Sequence, residues 1–132
     1  MNVKDFAEKF IKAEKEAWQN GNFDALEKLE DPNVKYHLME LGQNTEGWEA
    51  HKQFITTARQ NLIEIKQEWK YLVGEGNLFA LTYKSHAKMK GNLPGLPPLA
   101  GKETDAYTLF LFHLKNGKII EAWENGTYTG LI

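Results

Sequence analysis

The chain has 132 residues, no cysteine and a formal net charge of −2 at pH 7. This length predicts a single domain over residues 1–132, and the missing cysteines exclude disulfides. Lysine and acidic residues are mixed along the sequence, which excludes the basic stripe of a nucleic-acid binder, and no stretch reaches the roughly 18 apolar residues of a membrane span. We therefore expect a cytoplasmic protein without nucleic-acid or membrane partners.

Two helices are predicted at the start of the chain. Residues 3–19 carry apolar side chains at a spacing of three and four, which is typical of one buried helical face. These side chains are Val3, Phe6, Phe10, Ala13 and Ala17. Gly21 favours the end of this helix, and a short second helix follows with Asn22 as its cap and with Asp31 and Pro32 at its end.

A short strand and a third helix come next. Residues 34–39 predict a strand with Tyr36 and His37 on opposite faces, and residues 42–45 predict a loop. The helix after this loop has a buried stripe that contains Phe54, Ile55, Ala58 and Leu62. His51 lies near the middle of that stripe, where a buried imidazole needs a hydrogen-bonding partner.

The second half of the chain predicts four long strands. From residue 63 the apolar period changes to two, which indicates strands over residues 63–73 and from 78 to about 90. Residues 92–101 are rich in glycine and proline and predict an irregular loop. Residues 104–128 predict a hairpin, because Asn116-Gly117 supplies the positive φ angles that a two-residue turn needs.

The hairpin has two apolar faces. Counting outward from the turn pairs Phe112 with Glu121, Phe110 with Trp123 and Thr108 with Asn125. One face then holds Phe110, Phe112, Trp123, Asn125 and Thr127, and the other holds Tyr107, Leu109, Leu111, His113, Ala122 and Glu124. Two apolar faces must both be covered, so we expect helices on one face and either more protein or a partner subunit on the other. Helices gathered on one side of an antiparallel sheet make an α+β fold.

Several segments resemble the SnoaL-like polyketide cyclase family of the NTF2-like superfamily. The segment Gly-Leu-Pro-Pro-Leu-Ala-Gly-Lys at residues 95–102 is similar to that family's Gly-hydrophobic-Pro-Pro-Thr-Gly-Lys. Residues 46–50, Glu-Gly-Trp-Glu-Ala, are similar to its Glu-Gly-X-Glu-Ala, and His86 stands where it has Gly-Thr-His. Residues 116–123, Asn-Gly-Lys-Ile-Ile-Glu-Ala-Trp, are similar to its Asp-Gly-Lys-Ile-Val-Glu-X-Trp.

The resemblance implies a cone-shaped half barrel, in which three N-terminal helices pack on a strongly curved antiparallel sheet around a mostly apolar pocket. It also implies homodimers formed through the outer face of the sheet. In the family's cyclases a carboxylate four residues after the tryptophan of the last strand is the general acid/base. That position is Thr127 here, and a threonine hydroxyl titrates far above neutral pH, so it cannot replace the carboxylate as a general acid/base.

The candidate catalytic residues are His51 and His113, because imidazole titrates near neutral pH. His113 precedes Thr127 by fourteen residues, as in the cyclases' histidine and aspartate, yet the turn count puts it on the opposite face unless a bulge intervenes. Strand alternation sends His86 to solvent, and Glu121 is a further candidate on the Trp123 face. The alternatives are structural: His51 is a core or boundary histidine with a hydrogen-bonding partner, and Glu121 is a solvated residue at the rim.

We expect an apolar ligand to meet a wall built from one face of the sheet. The residues of this predicted wall are Tyr36, Tyr83, Phe110, Phe112, Trp123, Asn125 and Thr127, where hydroxyl, indole and amide groups meet the ligand's polar atoms. No motif for a metal ion or a nucleotide is visible, so we expect neither metal nor cofactor. One hypothesis is a cofactor-free isomerase, cyclase or dehydratase for a hydrophobic substrate. The alternatives are a non-catalytic carrier and a dimerisation module with a vestigial pocket.

Overall fold

The computed structural model describes residues 2–93, 96 and 98–129. For residues 128 and 129 the description covers the backbone alone. Within these ranges the helices are α1 (Val3–Asn20), α2 (Asp24–Leu29) and α3 (Trp48–Gln60). The Asn2 side chain caps α1 by accepting the Asp5 N–H at 2.8 Å, and Gly21 ends α1 at a φ of 68°. The three predicted helices are therefore confirmed, but α2 is capped by Phe23 rather than Asn22, and Leu62 of the predicted third-helix stripe begins the strand that follows α3.

Six strands form one sheet in the described part of the chain. They are β1 (Glu30–Leu38), β2 (Gln43–Glu46), β3 (Leu62–Glu75), β4 (Leu78–Met89), β5 (Glu103–Lys115) and β6 (Lys118–Thr129). Their order across the sheet is β2-β1-β6-β5-β4-β3. β1 pairs with β6 in parallel, and the other neighbouring strands pair antiparallel. The sheet curves around the helices without closing, which confirms the predicted α+β half barrel.

Two strand boundaries differ from the prediction. β1 begins at Glu30 rather than Val34 and runs through Pro32, and β2 occupies the predicted loop. β2 consists of Gln43, Asn44, Thr45 and Glu46, a polar stretch without strand periodicity, so only its pairing with β1 reveals it. Residues 94, 95 and 97 of the predicted loop lie outside the described residues.

The hairpin turn is confirmed, but the predicted register is wrong. Asn116 and Gly117 have φ angles of 54° and 74°, as a two-residue turn requires. A bulge between His113 and Leu114 then shifts the pairing by one residue. Phe112 faces Ala122 rather than Glu121, and Phe110 faces Glu124 rather than Trp123. Because side chains alternate along a strand, this shift turns every later β6 side chain to the opposite face.

The core fills the space between α1 and the concave face of the sheet. Phe10 contacts both Phe79 and Phe112, with ring centroids 6.3 and 4.8 Å apart, and Phe79 stacks on Phe112 at 4.8 Å. This cluster is almost completely buried. On the opposite, convex side of β3 lies a row of exposed charged residues, namely Glu64, Lys66, Glu68 and Lys70. None of the helices in the described residues is long and apolar enough to cross a membrane.

Candidate functional site: a cavity with a mostly buried histidine and a half-buried glutamate

A cavity of about 560 Å³ lies between the helices and the concave face of the sheet. Its wall is mostly apolar and rich in aromatic rings, which come from Phe10, Trp18, Tyr36, Phe54, Trp69, Tyr83, Phe110 and Phe112. A volume of this size accommodates a small organic molecule, and rigid rings give such a molecule broad contact surfaces. The cavity is therefore the candidate ligand site.

A mostly buried histidine between two carboxylates lies at the helical side of the cavity. His51 on α3 places Nδ1 2.7 Å from Oε2 of Glu30 and Nε2 3.3 Å from Oε1 of Glu14. The side chain of Glu30 is fully buried, and that of Glu14 is 8% exposed. The partner that the sequence requires for a buried His51 is thus supplied twice, by α1 and by β1.

Two further side chains fix the positions of these carboxylates. Trp18 donates its indole N–H to Oε2 of Glu14 at 3.0 Å, and Tyr36 donates its hydroxyl to Oε2 of Glu30 at 3.0 Å. The ring of Tyr36 also packs against that of His51, with centroids 4.8 Å apart. Charge-assisted hydrogen bonds in a dry interior hold such a network in one geometry.

This network keeps His51 protonated. Burial alone lowers the pKa of His51, but Glu30 and Glu14 together outweigh that effect and raise its pKa well above the usual value. Burial and the charge of Glu30 likewise raise the pKa of Tyr36. At neutral pH His51 is therefore an imidazolium whose two N–H groups both point at carboxylates, so it has no free nitrogen with which to accept a proton.

Glu124 on β6 is a half-buried ionisable group at the cavity wall. It lies next to Phe110 of β5 and Leu38 of β1 in the sheet, and all three side chains line the cavity. The pKa of Glu124 is raised to about 8, mainly by burial. The charge of Glu40 also raises this pKa, and the charge of His51 lowers it by a smaller amount. The carboxyl group is therefore protonated at neutral pH and close to its point of ionisation.

A third polar group lies farther along the sheet, at Tyr83. The Tyr83 hydroxyl accepts a hydrogen bond from Nε2 of Gln67 at 2.8 Å, and burial raises the pKa of Tyr83 to about 12. Oε1 of Gln67 is buried without a hydrogen-bonding partner in the described residues. Tyr83 is thus a neutral hydrogen-bonding group in the apolar wall.

The carboxylates around His51 also form a donor set that metal ions use. In the described chain, Glu14, Glu30 and His51 each offer one ligand atom, and these atoms lie within 4.8 Å of one another. The two ring nitrogens of His51, however, point at different carboxylates, whereas a metal ion would need both carboxylates beside the same nitrogen. The geometry fits an ion-paired imidazolium better than a metal centre.

Comparison with protein families identifies the chain. The family model for SnoaL-like polyketide cyclases matches residues 8–131. The chain belongs to this family. A comparison with curated protein sequences finds no match. The family assignment supports a small-molecule pocket protein, in agreement with the cavity.

Solved structures share the SnoaL-like fold. A protein of Jannaschia sp. CCS1 named as a SnoaL-like polyketide cyclase is 21% identical, with a TM-score of 0.76 over 93% of this chain and 85% of that one. TsrD of Streptomyces laurentii is 14% identical, with a TM-score of 0.78 over 96% and 91%. An NTF2-like protein of Anabaena variabilis is 12% identical, with a TM-score of 0.74 over 98% and 92%. At these identities the likeness shows the fold alone.

Five of the residues predicted for the SnoaL-like site line the cavity. These are His51, Tyr36, Tyr83, Phe110 and Phe112. Trp123, Asn125 and Thr127 do not line it, because the bulge in the hairpin turns them to the outer face, where they lie beside Leu111, Leu109 and Tyr107 of β5. His113 is also on the outer face, beside Glu121. The bulge does bring His113 and Thr127 to one face, as their spacing requires, but not to the face of the cavity.

A second histidine cluster occupies the outer face. His37 stacks on Trp123, with centroids 5.4 Å apart and planes 14° from parallel. Its Nε2 lies 2.6 Å from Oε2 of Glu121, and its Nδ1 lies 3.1 Å from Oδ1 of Asn44. Tyr36 and His37 thus lie on opposite faces as predicted. His86 is exposed, as alternation predicts, and contacts Asp105 at 2.7 Å and Glu103 at 3.3 Å.

Two carboxyl residues that line the cavity, Glu14 and Glu124, were not predicted from the sequence. Glu14 lies next to Ala13 and one turn after Phe10 in the buried face of α1, and this position on the apolar stripe was the available signal. Glu124 had no usable signal, because the unshifted register assigned it to the outer face. The carboxylate that the last SnoaL-like strand presents to the cavity is Glu124, one residue after Trp123, rather than a residue at position 127.

Proposed function

We propose that this SnoaL-like protein binds a hydrophobic small molecule in the cavity and catalyses a cofactor-free proton transfer on it, as an isomerase, cyclase or dehydratase does. Glu124 is the general acid/base in this proposal. The supporting observation is its position, a half-buried carboxyl group at an aromatic wall with a pKa of about 8. Efficient proton exchange requires a pKa near the working pH, and burial supplies that match here.

Glu124 is suited to both halves of a proton transfer. Below pH 8 its carboxyl group donates a proton to a substrate oxygen, and above pH 8 its carboxylate removes a proton from a carbon acid. The apolar wall excludes water, so the carboxylate is a stronger base than a solvated one. Tyr83 offers a hydrogen bond to a developing oxyanion, because its hydroxyl accepts from Gln67 and keeps its own proton at neutral pH.

His51 has a positioning role in this proposal. Its two N–H groups hold Glu14 and Glu30, and Glu14 faces the cavity. The imidazolium lowers the pKa of Glu124, whereas burial and the charge of Glu40 raise it. The positive charge of His51 therefore offsets part of that rise. The cluster sets the electrostatic environment in which Glu124 ionises.

The ring opening of 5-nitrobenzisoxazole tests this role directly. A base removes the proton from the ring carbon, the N–O bond breaks, and a coloured cyanonitrophenolate forms without any cofactor. We expect the protein to accelerate this reaction at least about a hundredfold over the same concentration of acetate, with a rate that rises with pH around a midpoint near 8. Absorbance at a series of pH values gives the profile.

A pair of variants on the same strand provides the control. Glu124→Gln keeps the shape and hydrogen bonding of the side chain but removes the base, so the acceleration should disappear. Glu121→Gln makes the same chemical change on the outer face, where Glu121 contacts His37, and should leave the rate unchanged. Equal rates for the wild type and Glu124→Gln would refute the assignment of Glu124.

A non-catalytic carrier is the second candidate. The observation in its favour is the apolar character of most of the cavity wall, which suffices for binding without chemistry. Binding of the uncharged fluorophore N-phenyl-1-naphthylamine, without acceleration of the ring opening, would favour the carrier. Failure to bind the fluorophore would favour a dimerisation module with a vestigial pocket.

Homodimerisation through the outer sheet face also belongs to this proposal. Tyr107, Leu109 and Leu111 of β5 are 58%, 52% and 39% exposed, and they form an apolar patch with Trp123 of β6. Covering such a row of large apolar side chains with a second copy of the chain removes apolar surface from water, which favours association.

A further inference from the structure

The cavity wall carries more acidic than basic side chains. Among the described residues that line the cavity, Glu14 and Glu124 carry carboxyl groups, and no lysine or arginine is present. His51 is the cationic group of this wall, but its two N–H groups are already directed at Glu14 and Glu30. A bound anion would therefore find acidic groups and no free cationic donor.

We propose that the cavity selects a hydrophobic amine, bound as its ammonium ion with the N–H groups towards Glu124 and the apolar body against the aromatic wall. This inference rests on the proposed function and names the substrate class of the same site. An ammonium ion and a carboxylate form a charge-assisted hydrogen bond, which is strengthened where water is excluded. The aromatic side chains of Tyr36, Trp69 and Phe110 line the same space, and aromatic rings attract cations placed over their faces.

The same arrangement disfavours the other ligand charges. A carboxylate or phosphate group would lose its hydration and would be repelled by Glu14, and by Glu124 once Glu124 ionises, which the apolar surroundings make costly. An alcohol of the same shape avoids the repulsion but gains a neutral hydrogen bond, which is about half as strong as a charge-assisted one. The order of affinity is therefore amine, then alcohol, then acid.

Proton linkage gives the amine a distinct signature. Glu124 faces Glu40 from the turn after β1, Glu14 from α1 and His51 from α3, and of these only His51 favours the ionised form. Tyr36 of β1 and Tyr83 of β4 also line the space and are neutral. A bound ammonium ion would be a second positive charge that favours the ionised form of Glu124. The amine should therefore bind more tightly at pH 8.5, where Glu124 is ionised, than at pH 6.5. The affinity of the alcohol should not increase.

Three naphthalene compounds that differ only in the polar group test the proposal. They are 2-(2-naphthyl)ethylamine, 2-(2-naphthyl)ethanol and 2-naphthylacetate, and isothermal titration calorimetry gives their dissociation constants at pH 6.5 and 8.5. We expect the amine to bind at least about tenfold more tightly than the alcohol at pH 8.5, and the acetate to bind more weakly than both. An alcohol or acetate that binds as tightly as the amine would overturn the proposal.

Glu124→Gln shows whether this carboxylate is the source of the preference. In this variant the amine should lose at least about tenfold in affinity and its pH dependence, while the alcohol should bind as before. Glu121→Gln on the outer face should change none of the three affinities. An amine preference that survives in Glu124→Gln would place the selecting charge elsewhere and contradict the proposal.

The outcomes also separate this proposal from the proposed function. If N-phenyl-1-naphthylamine binds and the ring opening of 5-nitrobenzisoxazole is accelerated, but the amine has no preference, only the amine proposal fails. If the amine binds preferentially without any acceleration of the ring opening, the catalytic function fails and the amine proposal holds for a carrier. If neither the fluorophore nor the naphthalene series binds, both proposals fail.

Discussion

At the scale of single residues, Glu124 makes the stability of the folded state fall as the pH rises from about 5 to about 8. Its pKa is raised by burial to about 8, while the unfolded chain ionises near the ordinary value. Between these two pH values the folded chain holds a proton that the unfolded chain has lost, so stability falls as the pH rises. Replacement by glutamine removes the ionisation and should remove that part of the pH dependence.

We therefore expect Glu124→Gln to gain stability over the wild type as the pH increases. The difference in the free energy of unfolding should grow by up to about 1.4 kcal/mol per unit between roughly pH 5 and pH 8. Urea denaturation at three pH values measures it, and His51 contributes to both proteins and cancels to first order. A difference that stays constant with pH would show that Glu124 ionises normally in the folded chain.

A second prediction at this scale concerns Glu30. Glu30→Gln leaves the buried His51 with Glu14 as its single carboxylate partner, so the pKa of His51 should fall, because burial then opposes a smaller attraction. Loss of one member of a buried ionic network typically costs about 3–5 kcal/mol. NMR titration of the imidazole and urea denaturation test both effects.

The matched control is the exposed pair of His86 and Glu103. Glu103→Gln should leave stability unchanged within error, because exposed ion pairs are screened by water. Equal losses for the two variants would argue against a special role of burial. The sequence predicts that His51 needs a partner, but it cannot name Glu30 and Glu14, since these lie on other elements and only tertiary packing brings them to the ring.

At the scale of secondary-structure elements, the bulge in the β5–β6 hairpin decides which side chains form the site. The turn, both strands and their alternation follow from local sequence, because turn chemistry and apolar period are local properties. A single extra residue near residue 120 leaves no such pattern, yet it moves Glu124 inward and Trp123, Asn125 and Thr127 outward. The fold could therefore be predicted from the sequence, and this part of the site could not.

The close approach of β6 to β5 near the same hairpin gives a further prediction. A Cβ atom added at Gly126 would lie 2.6 Å from Oγ1 of Thr108 and 2.8 Å from the carbonyl oxygen of Tyr107. The contact with backbone cannot be relieved by a rotamer change, so Gly126→Ala should destabilise the protein by about 1–3 kcal/mol. Thr127→Ala, the next residue on the exposed outer face, should change stability by less than about 0.5 kcal/mol in the same thermal or urea experiment.

At the scale of the whole molecule, the sheet separates two apolar surfaces with different roles. Its concave face bounds the cavity, and its convex face exposes Leu109 and Leu111. We expect the wild type to sediment as a dimer at micromolar concentration and Leu109→Lys as a monomer, because burying an ammonium group in an apolar interface is costly. Ile63→Lys at the edge of the sheet, also an exposed apolar position, is the control and should remain dimeric. A wild type that sediments as a monomer would contradict the proposed interface.

The position of β3 has a consequence for how copies of the folded chain meet. β3 is 14 residues long and forms one edge of the sheet, and a long free edge is a template on which another strand can add. Glu64, Lys66, Glu68 and Lys70 are exposed along it, and an incoming strand would have to dehydrate charges of both signs. We therefore expect these residues, which take no part in the site, to oppose edge-to-edge aggregation of the open half barrel.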